Sequence, residues 1–260
     1  MGAKKLHESY DEFPRLEHEF QEALEESLDP RGPDVLYEVV AALGLPRGGS
    51  AVDVGCGEGA STLALAELFG FDVLGVDPVP RNVELVRAAG ARCELGRAEA
   101  LPVADESVDL VWCRDVLTLV ADLDRVFAEM HRVLRPDGRA LVYLMLATDL
   151  LEPQEAIRFY SDELVPTSLD AEHVEAAMTD AGLSIDERIE IGSEWGERAE
   201  EETGKPGRRL LWAARLLREP DRYIERFGAR NYEIMLRDCH WHVYAMVGKL
   251  HRRTYVLSRR

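Results

Sequence analysis

Two short stretches of the chain carry residues whose types and spacing can do chemistry. The first, AVDVGCGEGAST at 51–62, places Gly55, Gly57 and Gly59 between an apolar run and a helical pattern. Glycines let the backbone turn sharply and let a ligand approach without a Cβ in the way, and the helix that follows offers free N–H groups at its N-terminus. Asp77 follows 18 residues after Gly59, at the end of VLGVD. An acid there can accept hydrogen bonds from both ribose hydroxyls, so the pattern indicates a nucleoside or nucleotide site.

The glycine loop alone does not identify the ligand. Gly55-x-Gly57-x-x-Ala60 also satisfies the loose dinucleotide fingerprint, with alanine in the third position. A tight strand-to-helix turn without any ligand is a further alternative.

The second stretch, RDCHWHVYAM at 237–246, holds Asp238, Cys239, His240 and His242 within five positions. A helical period places Cys239 on an apolar stripe, where it is predicted to be packed away. His240 and His242 then lie about 160° apart around the helix axis, so they cannot bind one metal ion, and no metal site is predicted. Asp238 and His242, four residues apart, share a face and form a candidate acid–base pair; an exposed helical pair is the alternative.

The surrounding pattern predicts an α/β fold. Apolar strands alternate with helical patterns, which is typical of a mainly parallel sheet with helices on both faces. After a helix that ends at Gly182, the pattern changes: a strand over 184–191 is followed by helical residues over 193–250 and by a strand-like tail over 253–260. We expect the last two strands to pair as a hairpin at one edge of the sheet. The predicted helices before that point are 15–28, about 34–43, 60–69, 81–89 and 122–134, and the predicted strands are 51–54, 73–76, 91–95, 108–113 and 139–146.

An ordered set of motifs over about residues 34–192 resembles the class I S-adenosylmethionine-dependent methyltransferases, in the branch that modifies small molecules. The motifs are VDVGCGEG, GVDPVPRNVELVR, GRAEALPVADESVDLVWCRDVL and RVLRPDGRALVY. The resemblance implies a Rossmann-like, seven-stranded mixed sheet whose last strand is antiparallel. We expect one domain over 1–260, with its core at about 34–192 and 251–260 and a helical cap at about 1–33 and 193–250.

The resemblance also implies the cofactor S-adenosylmethionine and assigns residues to it. Relatives often carry Gly-Asp-Ala-Glu where this chain has Gly96, Arg97, Ala98 and Glu99, and an arginine cannot accept a hydrogen bond from the adenine amino group. Either Glu99 takes over that role, or backbone or water does. The residues assigned are Asp53, Gly55, Cys56, Gly57 and Gly59 at the methionine and ribose end, Asp77 at the ribose, Pro78 and Val79 beside the adenine, Ala98 and Glu99 at its edge, and Cys113 and Arg114 near the sulfonium.

By the same resemblance, we expect transfer of a methyl group to an oxygen or nitrogen of a small molecule of secondary metabolism. The alternative is a protein that binds the cofactor but catalyses a non-methylating reaction such as a cyclisation. Relatives often have a histidine pair after the fourth strand, and residues 116–120, VLTLV, have none. A general base would therefore be Asp115, for which a salt bridge is the alternative, or the Asp238–His242 pair of the cap. The cap tryptophans and tyrosines form either an acceptor pocket or the cap's own core.

Composition bears on the partners of the chain. It has 31 basic and 49 acidic residues and a net charge of −18. Such a surface repels phosphate backbones and anionic lipid, so neither nucleic acid nor a membrane is an expected partner. The N-terminal residues lack the apolar segment of a secretion signal, and we expect a cytoplasmic protein with buried, reduced cysteines. The sequence leaves the oligomeric state open.

Overall fold

A computed structural model describes residues 3–159 and 170–260. The strands of this part of the chain are β1 (Ser50–Val54), β2 (Asp72–Asp77), β3 (Arg92–Leu95), β4 (Val108–Arg114), β5 (Leu134–Ala147), β6 (Leu183–Ile191) and β7 (Leu250–Arg259). The helices are α1 (Ala3–Glu26), α2 (Val35–Ala42), α3 (Ala60–Phe69), α4 (Pro80–Ala88), α5 (Leu123–Val133), α6 (Pro153–Phe159), α7 (Ala171–Asp180), α8 (Glu194–Thr203), α9 (Lys205–Arg218), α10 (Pro220–Phe227) and α11 (Ala229–Met246). A short 3₁₀ turn covers Leu117–Leu119.

The seven strands form one sheet in the order β3-β2-β1-β4-β5-β7-β6. The pairs from β3 to β5 are parallel, and β7 is antiparallel to both β5 and β6. The predicted mixed sheet with an antiparallel last strand, and the predicted edge hairpin, are confirmed. Because β1 and β4 are adjacent, their carboxyl ends meet at the point where the strand order reverses, which is where α/β sheets bind ligands.

Apolar side chains bury both faces of the sheet, as a doubly covered parallel sheet requires. One core cluster includes Phe127 and Met130 of α5 and Met178 of α7. The other includes Leu36 of α2 and Trp112 of β4. Each face is thus covered by helices that the sequence pattern predicts.

The differences from the predicted elements lie at their ends. Helix α1 begins at Ala3 rather than near residue 15 and contains Pro14. Strand β5 begins at Leu134 rather than at the predicted residue 139, and the stretch 135–138 is an irregularity in its pairing: Val108 pairs with Leu134, but Leu110 pairs with Arg139. A glycine and a proline in this stretch mimic a turn, although the chain resumes pairing with the same strand.

Helices α8–α11, which we call the cap helices, lie between β6 and β7 in the chain. Their own core includes Ala213, Leu216, Tyr232 and Cys239. Trp195 of α8 stacks on Tyr143 of β5 at a centroid distance of 4.7 Å, and Tyr143 pairs with Arg114 at the end of β4. The stacked pair therefore sets α8 beside the carboxyl end of the parallel strands.

Candidate cofactor site and the adjoining cap pocket

The glycine loop after β1 has the backbone that only glycine adopts without strain. Gly55, Gly57 and Gly59 have φ values of 68°, 54° and 89°. A Cβ on Gly59 would lie 2.8 Å from a methyl carbon of Val86, so this glycine allows α3 and α4 to pack closely. No atom lies within 4 Å of the position that a Cβ on Gly57 would take. Gly57 therefore leaves space for a ligand rather than for a neighbouring residue.

Asp77, the last residue of β2, organises the loop from the side. Its carboxylate accepts hydrogen bonds from the backbone N–H of Gly57 (2.9 Å), the backbone N–H of Val79 (2.9 Å) and the side-chain amide of Asn82 (3.0 Å). A carboxylate has about four acceptor positions, so Asp77 keeps capacity for a further donor such as a ribose hydroxyl. Asn82 was not among the predicted site residues, although it lies in the quoted motif GVDPVPRNVELVR.

A cavity of about 330 Å³ lies in front of this loop, and we call it the glycine-loop pocket. Its volume is within the range of small-molecule sites, and apolar side chains form one of its walls. Eight of the predicted site residues line it: Gly55, Gly57, Asp77, Pro78, Val79, Ala98, Glu99 and Asp115. Val76, Asn82, Gly96, Arg97, Val116, Leu119 and Val120 complete the lining.

Five other predicted cofactor residues lie behind or beside that lining. Gly59 packs beneath the loop, as described above, and Arg114 turns toward the cap helices. Asp53 is buried and accepts a hydrogen bond from the hydroxyl of Thr62 at 2.7 Å. Burial raises the pKa of Asp53 to about 6, against the lowering effects of the Thr62 hydroxyl and the Arg114 charge. The thiols of Cys56 and Cys113 are buried, and the Cys56 sulfur is 3.5 Å from the sulfur of Cys93.

Arg97, which is not among the predicted cofactor residues, lines the glycine-loop pocket beside Glu99. Its guanidinium is 3.3 Å from a carboxylate oxygen of Glu99, and the Arg97 side chain is largely exposed while that of Glu99 is not. The ion pair holds Glu99 against the pocket wall. Glu99 thus lines the pocket two residues further along the chain than the aspartate that relatives often carry.

Asp115 follows β4 and has a backbone φ of 59°, in the left-handed region. Residues with a Cβ rarely adopt this backbone region, and such conformations cluster at functional sites. Its N–H donates to the carbonyl of Tyr143 at 3.2 Å, which fixes the turn. Partial desolvation raises the pKa of the Asp115 carboxyl, although its side chain is 54% exposed, and the positive charges of Arg114 and Arg252 act in the opposite direction.

Two arginines join Asp115 to the cap helices. The guanidinium carbons of Arg114 and Arg252 lie 5.6 and 5.9 Å from the ring centroid of Trp195, within the range of cation–π contacts. Arg114 also contacts Asp115, with 3.5 Å between its Nε and a carboxylate oxygen. The salt bridge that was the alternative for Asp115 is therefore present, although the same carboxylate lines the glycine-loop pocket.

Two residues of this cluster, Trp195 and Arg252, line a second cavity of about 260 Å³, which we call the cap pocket. Its lining includes Trp195, His242, Met246 and Arg252. His242 and Asp115 line different cavities, and Arg252 acts on both: its charge lowers the pKa of each. Burial is the largest cause of the lowered pKa of His242, so the imidazole favours its neutral form.

The predicted Asp238–His242 pair is present, with a distance of 3.8 Å between a carboxylate oxygen and Nε2. Asp238 makes a closer ion pair with Arg209 of α9, which the sequence analysis did not consider. Cys239 is fully buried, and His240 stacks on Tyr244 at 5.2 Å. Among the described residues, no group of three potential ligands is placed to bind a metal ion.

A family model described as "Methyltransferase domain" matches residues 52–142, which span the glycine loop, Asp77, Asp115 and most of β5. This match, the curated methyltransferase relatives and the fold support a class I S-adenosylmethionine-dependent methyltransferase. The family's cofactor, S-adenosylmethionine, fits the glycine-loop pocket. The open space at Gly57 would let the cofactor approach the backbone, Asp77 has acceptor capacity left for its ribose hydroxyls, and the apolar wall suits its adenine.

Named relatives agree with this assignment. This methyltransferase is 28% identical over 182 residues to "Methyltransferase GfsG" of Streptomyces halstedii, covering 65% of this chain and 66% of that one. It is 27% identical over 176 residues to "O-methyltransferase resE" of Aspergillus sclerotiorum, covering 64% and 67%. The chain spans about two thirds of the length of these two curated relatives and less than half of the arsenite methyltransferase of Halobacterium salinarum.

Solved structures show the same fold. A putative sarcosine dimethylglycine methyltransferase from Galdieria sulphuraria matches with a TM-score of 0.65 and 19% identity, covering 86% of this methyltransferase and 82% of that chain. The [4+2]-cyclase SpnF matches with a TM-score of 0.64 and 22% identity, covering 87% and 81%. At these identities the match establishes the fold alone. No helix in the described part of the chain is long and apolar enough to cross a membrane.

Proposed function

We propose that this protein transfers the methyl group of S-adenosylmethionine to an oxygen or nitrogen of a small-molecule acceptor of secondary metabolism. The observation that carries the proposal is the position of Asp115. Its carboxylate lines the glycine-loop pocket and contacts Arg114, and Arg252, whose charge lowers the pKa of the same carboxylate, lines the cap pocket. A donor in one cavity and an acceptor in the other would meet at this carboxylate.

The loop residues would hold the donor. Asp77 would accept the ribose hydroxyls, Val79 and Leu119 would flank the adenine, and Glu99 would accept from its amino group. When bound, the cofactor supplies a methyl group on a positively charged sulfur. The chain's own contribution is then to align an acceptor with that group and to exclude water.

Asp115 is the proposed proton acceptor. It would take the proton of an acceptor O–H or N–H as the new bond to carbon forms. Its raised pKa suits this role better than an ordinary carboxyl does, because a stronger base removes such a proton more readily. The left-handed backbone and the Arg114 contact hold the carboxylate at the end of β4, so it needs no reorganisation.

The Asp238–His242 pair would contact the acceptor rather than the cofactor. His242 lines the cap pocket, where Trp195 offers an aromatic wall and Arg252 a positive charge. We assign these residues to binding and orienting the acceptor. The core at 34–192 and 251–260 would then supply the cofactor site, and the helical cap at 1–33 and 193–250 the specificity.

The charge of the chain gives no support to a nucleic acid as the methyl acceptor. Its net charge of −18 disfavours RNA or DNA as the methyl acceptor. A non-methylating reaction such as a cyclisation is the second candidate, because the stretch after β4 from Val116 to Val120 contains no ionisable side chain.

Release of S-adenosylhomocysteine in the presence of a metabolite library tests the proposal. We expect release with a subset of hydroxyl or amine acceptors, and loss of that release in Asp115→Asn. A library member that is converted without any release of S-adenosylhomocysteine would establish the second candidate instead.

A further inference from the structure

Helix α1 presents an apolar stripe to solvent. Phe13, Phe20 and Leu24 are 61%, 65% and 62% exposed, and Leu16 is 40% exposed. Their spacing of three or four residues places all four on one face of the helix. Solvated helices of this kind are polar all round, so a continuous exposed stripe indicates a missing partner.

The polar side of α1 is acidic over residues 13–26, and the ion pairs of these described residues lie within the helix. Residues 13–26 contain five glutamates and one arginine. The ion pairs of Arg15 and His18 are with Glu19 and Glu22 of the same helix. Among residues 13–29, a hydrogen bond to the cap helices occurs after α1 has ended, where the N–H of Asp29 donates to Glu197 at 3.0 Å.

The cap helices carry an open apolar groove. A cavity of about 360 Å³ lies between α9, α10 and α11, and its lining is almost wholly apolar, with Trp212, Leu216, Tyr223, Phe227 and Met235 among its residues. Trp212 is 42% and Phe227 51% exposed. None of these five residues lines the glycine-loop pocket or the cap pocket, so this cap groove is distinct from the site described above.

The segment that contributes α9 and α10 to the cap groove has the opposite charge to α1. Residues 205–230 contain eight basic and three acidic side chains, in a protein whose net charge is −18. Arg215 lines the groove, and the guanidinium of Arg226 lies 4.9 Å from the ring centroid of Phe227. An acidic amphipathic helix would therefore find apolar contacts in the groove and positive charges along its edges.

We propose that the cap groove binds helix α1 of a second copy of this chain. The same chain supplies both surfaces, and both are exposed within one copy, where α1 does not occupy the groove. A two-fold arrangement would seat each α1 in the partner's groove. Reciprocal docking buries each surface on both copies, so the total buried area can reach the roughly 1,200–2,000 Å² that stable interfaces bury.

Light scattering on the size-separated full-length protein tests the proposal. We expect a particle of twice the 29.2 kDa mass of one chain. The double variant Phe20→Ser, Leu24→Ser, and separately Phe227→Ser in the groove, should each return the particle to one chain's mass. Leu68→Ser, which changes an equally exposed leucine on α3, is the matched control and should stay dimeric. Circular dichroism melting shows whether each variant is folded.

Mixing the α1 variant with the groove variant tests whether α1 of one copy binds the groove of another. The α1 variant keeps an intact groove and the groove variant keeps an intact α1, so the mixture should form a heterodimer although each alone is monomeric. A mixture that stays monomeric, or a monomeric unmodified protein, overturns the proposal. Binding of the unmodified protein to vesicles of phosphatidylglycerol, lost in Phe227→Ser, would assign the groove to a membrane surface and also overturn it.

Discussion

The variant Gly57→Ala tests whether Gly57 is needed to leave space for a ligand or only to allow the left-handed backbone conformation. Gly57 has φ 54°, and no atom lies within 4 Å of the position of an added Cβ. Gly44, in the loop after α2, has φ 65° and equally empty surroundings but lines none of the cavities described above. The two alanine variants should therefore suffer the same backbone strain and differ only in what the new methyl group faces.

The two costs can be worked separately. A non-glycine residue in the left-handed region costs about 1–2 kcal/mol, so both variants should melt several degrees below the unmodified protein. A methyl group that intrudes on a ligand costs about 1–3 kcal/mol, and this applies to Gly57 alone. We expect the dissociation constant for S-adenosylmethionine to rise about 5- to 140-fold in Gly57→Ala and to stay within about twofold in Gly44→Ala.

Isothermal titration with S-adenosylmethionine measures the affinities, and scanning calorimetry measures the melting temperatures. Unchanged affinity in Gly57→Ala would mean that the cofactor does not approach this loop. An equal loss of affinity in Gly44→Ala would mean that the effect is one of stability.

Three further outcomes follow from the charges of the site. The unprotonated form of Asp115 is the base and its pKa is raised, so turnover should begin to fall on acidification at a higher pH than it would with an ordinary carboxyl. Asp115→Asn should lose this acidic limb of the pH–rate profile. His242→Ala should raise the KM for the acceptor and leave the affinity for S-adenosylmethionine unchanged in titration; a loss of both would place His242 in the cofactor site. The folded-state pKa of Asp53 is about 6, above its usual value, so this carboxylate destabilises the fold above pH 6 and ceases to do so as it becomes protonated. Asp53→Asn should therefore raise the free energy of unfolding at pH 8 by up to about 2 kcal/mol, much less near pH 4, as urea denaturation would show.

The sheet and the glycine loop could be predicted because their signals are local. Gly55, Gly57 and Asp77 lie at fixed distances from strand ends, so parallel pairing of β1 and β2 brings them together without further information. The i, i+4 relation of Asp238 and His242 is equally local and is present in the structure.

The connection between the two cavities depends on contacts that no sequence pattern indicates. Arg252 of β7 reaches Trp195 of α8, and its charge acts on Asp115 of the loop after β4, although the three residues are far apart in the chain. The left-handed backbone of Asp115 depends on its hydrogen bond to Tyr143 of β5. The ion pair between Arg209 and Asp238 arises only when α9 packs on α11. Such pairings follow from the packing of the cap helices, which the periodicity of a single helix cannot predict.

A parallel titration with S-adenosylmethionine and NAD tests most directly whether the glycine-loop pocket binds S-adenosylmethionine. We expect one molecule of S-adenosylmethionine to bind per chain, weak or no binding of NAD, and loss of S-adenosylmethionine binding in Asp77→Ala. Preferential binding of NAD, or binding of S-adenosylmethionine that Asp77→Ala leaves intact, would contradict the account.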